Sequence, residues 1–495
     1  MSVKPQFDSY RYVGEICRLK GQSIVECRLP GSEISSILAV YAKATPLECA
    51  CSDGEVQYSG RAIICIVYED SERKICRVER GAEFFHKAEN GGVTPSCFAK
   101  AAYTTENITW RREGSGLYIS IIVGAELIVF GSKQMEYLSG GEGLVCQKDA
   151  MTVRKCVCVS GEIEGEDEFD SDYALDVLLQ SATAIVNHVG AASGQVDIEG
   201  EIALNFCVLK GDDSVCTYER LIPFRMQVPA DEAFGSVMAN ARVCVKSSRL
   251  TADTNEETGK SKMVFSYTLL ADCFLHIKED IAMVSDAFST DVEISLKREK
   301  DGGRYLTKRI RCSERVSGAA SLSPAIEGEY TMQAAILPRA EISCRKGENG
   351  IEAEGIVSAQ VLLKSGDGAY RTCELSLPVV FPLDVEEENC EVECLVCGLN
   401  VRRKKSGETE ADATLKMSVS AYKKAEWSYI SQMEEGEAFG ESDCAFSVFL
   451  PEAGEELWQV AKRLRCTPEV LQKNNPELEF PLKTGQKIYV YRQIK

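Results

Sequence analysis

A nucleophile needs a base within reach, and this chain has few bases to offer. Its three histidines, His86, His188 and His276, stand apart from any serine, cysteine or carboxylate pattern, so no catalytic triad can be drawn, and His276 reads as an ordinary strand residue. The run TNEETGKSK at 254–262 contains the Gly-Lys-Ser end of a phosphate-binding loop. Thr254, however, stands where that loop requires its first glycine, and the flanks read as strands, so the run is expected to be a hairpin turn. No pair of carboxylates stands out from the general acidity to do acid-base work. Metal is the remaining test, because there are 22 cysteines. Cys49 and Cys51, like Cys156 and Cys158, put two thiols on one strand face, and Cys390, Cys394 and Cys397 make a loose triplet, but no second pair follows at a zinc-site spacing. Most cysteines, Cys65, Cys207 and Cys244 among them, sit inside apolar alternation and read as small buried hydrophobes, reduced and without obligatory disulfides. The expectation is a chain that is not an enzyme, with no cofactor and no metal.

The chemistry that the sequence does offer is recognition, and it is concentrated between Phe446 and Tyr491. Phe446, Val448 and Leu450 alternate as in a half-buried strand before Pro451 and Gly454 break the run. Leu457, Val460, Ala461 and Leu464 then form one apolar helical stripe, with Lys462, Arg463 and Arg465 at the end where the helix dipole favours positive charge. Thr467 is placed to cap a second helix, Pro468 suits its first position, and Asn474-Asn475-Pro476 stops it. Gly485 is expected to supply a turn into a closing strand from Lys487 to Tyr491, with Ile488 and Val490 on one face and Tyr489 and Tyr491 on the other.

The runs GEELWQVAKRL at 454–464, TPEVLQKNNPEL at 467–478 and TGQKIYV at 484–490 together resemble a LysM domain, over about a tenth of the chain. Glu455-Glu456 stand where that family usually has Asp-Thr, Asn474 where an apolar residue is common, and Thr484 where it has proline. The resemblance implies a small β-α-α-β fold over 446–495. It also implies a shallow groove for N-acetylglucosamine-containing glycan, formed by Gly454, Glu455, Glu456, Leu457 and Trp458 on one side and Asn474, Asn475, Pro476, Glu477 and Leu478 on the other. Trp458 lies one position off the apolar stripe, so its ring is expected at the core's edge, where it can both pack and face a partner. Glu455, Glu456 and Glu477 would surround it with negative charge, which suits a basic protein face better than a neutral sugar polymer.

A chain of 495 residues is long enough for three or four domains. Its formal net charge of −20 argues against nucleic acid and anionic membrane as partners. The N-terminus has no apolar signal region, and no run of about 18 apolar residues occurs, so neither export nor membrane insertion is expected and the location is read as cytoplasmic.

Residues 1 to 430 carry an internal repeat. GEVQYSGRAIICIVYED from Gly54, GQVDIEGEIALNFCVLKGDD from Gly194 and NGIEAEGIVSAQVLLKSGDG from Asn349 align. In each, Gly60, Gly200 or Gly355 is read as following a short alternating strand and preceding a longer one. A further strand follows each copy, from Arg73, Ser214 and Tyr370. Copies of this size read as domains in themselves. The fold class is therefore mainly β: three tandem β-sandwich-like domains, at 1–145, 146–305 (with an acidic linker) and 306–430, then a linker at 431–445 and the small module at 446–495. Two acidic stretches, 160–172 and 432–443, read as solvated linkers. The basic stretch 297–316 reads as a solvated hairpin about Gly302-Gly303.

The lead-ins before each copy, the glycine-centred strands and the strand ending at Pro223-Phe224 together resemble the SPOCS domain of bacterial endospore coat proteins. SPOCS copies followed by one LysM resemble the SipL family. That resemblance implies a non-enzymatic scaffold of coat assembly on the mother-cell side of the forespore, its LysM docking onto the morphogenetic ATPase of the coat's basement layer. The alternative that the LysM alone suggests is a cell-wall protein binding peptidoglycan or chitin-type glycan.

Overall fold

The computed structural model describes residues 3–30, 34–114, 116–212, 214–324, 330–348, 350–366, 368–404, 407–440, 446–483 and 486–491. Alternating apolar and polar residues build strand after strand, and the chain is mainly β, in small antiparallel sheets. The first unit runs β1 (Lys4–Pro30), β2 (Ile34–Ser52), β3 (Glu55–Asp70), β4 (Ile75–Glu89), β5 (Phe98–Glu113) and β6 (Gly116–Glu142). The second runs β7 (Val145–Ser171), β8 (Leu175–Ala192), β9 (Gln195–Lys210), β10 (Val215–Pro229), β11 (Met238–Asn255) and β12 (Lys260–Phe288). The third is β13 (Val292–Ala319), the short β14 (Ser321–Ser323), β15 (Tyr330–Lys346), β16 (Ile351–Ser365), β17 (Tyr370–Pro382), β18 (Asn389–Arg403) and β19 (Thr409–Ala438).

All three units share one strand order. In each, the first strand pairs with the last, which pairs with the one before it, giving β1-β6-β5, β7-β12-β11 and β13-β19-β18. The middle strands form a second sheet, β2-β3-β4, β10-β9-β8 and β15-β16-β17, with β14 added at the edge of the third. One apolar core lies between the two sheets of each unit, built on residues such as Ile64 and Ile121 in the first, Ile202 and Phe265 in the second, and Val357 and Leu415 in the third.

The repeated glycine sits inside one continuous strand, not at the joint of a short and a long one. A Cβ on Gly60 would lie 2.4 Å from the Phe84 ring and 2.9 Å from the Thr45 carbonyl oxygen, and one on Gly200 would lie 2.4 Å from both the Phe224 ring and the Ile185 carbonyl oxygen. Phe84 and Phe224 are the cross-strand partners of these glycines and cover them, while a register shift on the other neighbouring strand brings a carbonyl close. In the third unit Val379 faces Gly355, whose Cβ would lie 1.9 Å from the Glu341 carbonyl oxygen.

Four readings of chain organisation are corrected by the strands. The acidic stretch 160–172 is not a linker through residue 171: it is the second half of β7, paired with β12. Its acids alternate outward, as Glu168 does to meet Lys262 at 2.8 Å, while Ile163 and Phe169 pack on the second core. The boundary at 305/306 falls inside β13, which opens the third unit at Val292. Gly302 and Gly303 within it form no turn; they pair with Glu426 and Ala425, and a Cβ on Gly303 would lie 2.8 Å from the Arg154 carbonyl oxygen of β7. Similarly, 432–438 is the end of β19, and residues 441–443 lie outside the described residues. The sequence TNEETGKSK does join two strands, β11 and β12, by a short turn, and His276 is a strand residue.

Candidate partner-binding module

The C-terminal module is β20 (Phe446–Phe449), α1 (Leu457–Leu464), α2 (Pro468–Asn474) and β21 (Ile488–Tyr491). Local chemistry sets its limits. Glu456 precedes α1, its backbone N–H donating to Gln459 Oε1 at 3.1 Å, and Arg465 closes the helix in the left-handed conformation. Thr467 Oγ1 accepts from the Val470 N–H, capping α2 as the sequence requires. Val460, Ala461, Leu464, Leu471, Ile488 and Val490 are buried together. Thr484 and Gly485, read as turn residues, lie outside the described residues.

The ten residues of the expected groove have different fates. Gly454, Glu456, Pro476 and Glu477 are exposed, and Asn474 is half-buried. Leu457 and Leu478 pack on the module's core. Asn475 is buried and structural. Its side-chain amide donates to the carbonyls of Leu471 (2.9 Å) and Tyr489 (2.8 Å), and its oxygen accepts from the Tyr489 N–H at 2.7 Å, tying α2 to β21. Glu455 is paired with Arg463 and accepts from the Glu452 N–H.

Trp458 is half-buried at the edge of the core, and the surface its ring meets belongs to the same chain. The ring packs edge-on against Phe288 with centroids 5.2 Å apart, and its Nε1–H donates to Asp286 Oδ2 at 2.8 Å. Lys462, one turn further along α1, donates to both Asp286 oxygens at 2.7 Å. Burial works against the charge of Asp286, but Lys462 and Trp458 outweigh it and hold the carboxyl below its ordinary value. Phe288 and Val145, from the ends of β12 and β7, complete the module's core, so the module is docked on the second unit.

The aromatic face left open lies elsewhere. In the β20–β21 ribbon Phe446 pairs with Tyr491 and Val448 with Tyr489, and all four side chains point outward, with exposures of 41 to 57 %. Phe446 stacks between the two tyrosines, at 5.9 Å from the Tyr489 ring and 5.2 Å from the Tyr491 ring. Alternation found this strand but not its facing: the inward positions are Ser447 and Phe449. Nothing in the local sequence signals Asp286 or Phe288, which come from about 170 residues away.

Five cysteines are buried (Cys65, Cys156, Cys207, Cys273, Cys373), the other described ones are half-buried, and none of them is in a disulfide. Burial raises the thiols of Cys65, Cys156 and Cys207 to about 12, away from thiolate chemistry. Among the described residues no group of three or more His, Cys, Asp or Glu is placed to hold a metal ion. Comparison with protein-family models, with curated proteins and with solved structures finds no match to this chain.

Proposed function

We propose that this chain is a scaffold of bacterial endospore coat assembly: three SPOCS-like domains carry a LysM-like module that binds another protein. The partner implied by the sequence resemblance is the ATPase of the coat's basement layer. The observation that carries the reading is the docking of Trp458 on Asp286 and Phe288. It holds the module in one orientation on the second unit, with the Phe446–Tyr489–Tyr491 face and the acids Glu456 and Glu477 turned outward. An exposed cluster of aromatic rings is the usual character of a protein-binding anchor. Pre-orienting it lowers the entropy lost on binding.

The test uses the full chain, immobilised and offered the purified ATPase in one arm and chitin oligomers or peptidoglycan fragments in the other. Retention of the ATPase, lost when Tyr489 and Tyr491 are both changed to alanine, is the expected result. Tight glycan binding with ATPase retention unaffected by those changes would overturn the reading in favour of a wall-glycan protein.

A further inference from the structure

The three units meet around a cavity of about 830 Å³ to whose wall all of them contribute. Each presents the equivalent pair of sheet edges to it: β2 and β5 of the first, β8 and β11 of the second, β15 and β18 of the third. Side chains cross between units and tie these edges together. Lys43 Nζ of the first donates to the Ala182 carbonyl of the second at 3.0 Å, and the Gln360 amide of the third donates to the Val40 carbonyl of the first at 2.8 Å. The volume falls within the range of small-molecule sites, roughly 300 to 1,000 Å³.

The charges in the wall decide what it can hold. Six carboxylates and four cationic side chains line it. Lys100 is paired with Asp272 at 3.1 Å, Arg242 with Glu391 at 3.2 Å and Arg339 with Glu374 at 3.4 Å, and Glu126 reaches Lys20 outside the wall at 3.8 Å. Lys43, Glu341 and Glu393 are left with no ion-pair partner among the described residues, so the uncompensated charge is negative. Glu341 is exposed, and Glu393 is half-buried on β18, on the same strand face as Glu391. The arginines nearest Glu393 are engaged elsewhere, Arg242 with Glu391 and Arg309 with Ser418 Oγ and the Val186 carbonyl, and neither donates a hydrogen bond to it. Trp110 of β5 also lines the cavity, 48 % exposed, with no ring or cation stacked on it among the described residues.

We propose that this cavity binds a short aliphatic diamine, one ammonium of which is received by the Glu393 carboxylate. An ammonium brings three donors to a carboxylate whose acceptors are unused, and a bond charged on both sides is stronger in a partly enclosed wall than in open water. The methylene chain suits the apolar part of the wall, to which Leu270 and Leu395 belong. Glu341 and the face of the Trp110 indole, which attracts cations, remain for the second ammonium. A small anion would meet the uncompensated negative charge. A bare metal ion would need several carboxylates converging on one point, and among the described residues no such group of three exists.

Titration calorimetry of the full chain with butanediamine tests this, with butanediol as the uncharged analogue of the same length. The diamine should bind saturably and the diol should not, and Glu393→Gln should weaken the diamine about tenfold or more through loss of the charge-assisted bond. Glu164→Gln, which changes an exposed acid of β7 outside the cavity, should leave binding as it was. Absence of saturable binding, binding unchanged in Glu393→Gln, or equal weakening by both substitutions would overturn the proposal. Should Glu393→Gln fail to fold, hydrogen exchange of the native chain decides. Added diamine should slow exchange along β11 and β18 where the diol does not, and no slowing there, or slowing confined to the acidic half of β7, refutes the site.

Discussion

Replacing Trp458 by alanine should free the C-terminal module from the second unit and open the core that Phe288 completes. The ring contributes two terms. Losing roughly half of a tryptophan's burial, on the order of 100 Å² at about 25 cal/mol per Å², costs about 2.5 kcal/mol. Losing the Nε1–H bond to the Asp286 carboxylate, charged on one side, costs about 1.5 kcal/mol more. The Lys462 pair to Asp286 remains, but with Lys462 42 % exposed it contributes at most about 1 kcal/mol. Docking should therefore weaken by about 4 kcal/mol, roughly a thousandfold in the docked-to-free ratio. Hydrogen exchange gives the assay, read at α1 and at the end of β12 near Phe288. Both should lose protection together in Trp458→Ala, and Asp286→Asn should produce a smaller version of the same pattern. If both segments keep native protection in Trp458→Ala while ATPase retention is abolished, the ring faces the partner directly, and the reasoning from the intramolecular contact is refuted.

Glu391→Gln leaves Arg18, Arg242 and Arg304 without their shared counter-charge and should cost about 3 kcal/mol in urea unfolding at pH 7. Burial opposes the charge of Glu391, and the three arginines outweigh it and lower the carboxyl from 4.5 to about 2. Stability from this depressed group is present above 4.5 and is lost as pH falls toward 2, so the wild-type advantage over Glu391→Gln should shrink on acidification. Gly200→Ala should destabilise the chain by about 2 kcal/mol or more, because its methyl would meet a backbone carbonyl as well as the Phe224 ring, whereas Gly235→Ala, with nothing within 4 Å, should be close to neutral in the same thermal melts. Cys65, Cys156, Cys207, Cys273 and Cys373 should resist thiol labelling in the native chain and react on unfolding, and rapid native labelling of these five would contradict their burial.

Periodicity carried a good part of this structure. Strand alternation, the apolar stripe from Leu457 to Leu464, the Thr467 cap and the Asn474-Asn475-Pro476 stop are local, and local stereochemistry fixes them wherever the chain lies. The repeat was legible because each copy must place a glycine where a neighbouring strand's carbonyl approaches, and in the first two copies a phenylalanine ring covers it as well. Composition misled where acidity and glycine were taken for flexibility. In β7, Gly161 and Gly165 face inward, where a Cβ would collide with Val228 and Tyr267, and the acids between them simply face water.

The amino-acid sequence by itself determined most of the strands, though not the acidic and glycine-bearing halves of β7, β13 and β19, and the small module at the chain's end, because these depend on neighbours within a few residues. Only the tertiary structure decided what those elements face. Trp458 meets Asp286, and Arg18 and Arg242 meet Glu391, through contacts spanning some 150 to 370 residues. Such pairings leave no periodic trace, because burial and electrostatics act on distances in space and not along the chain.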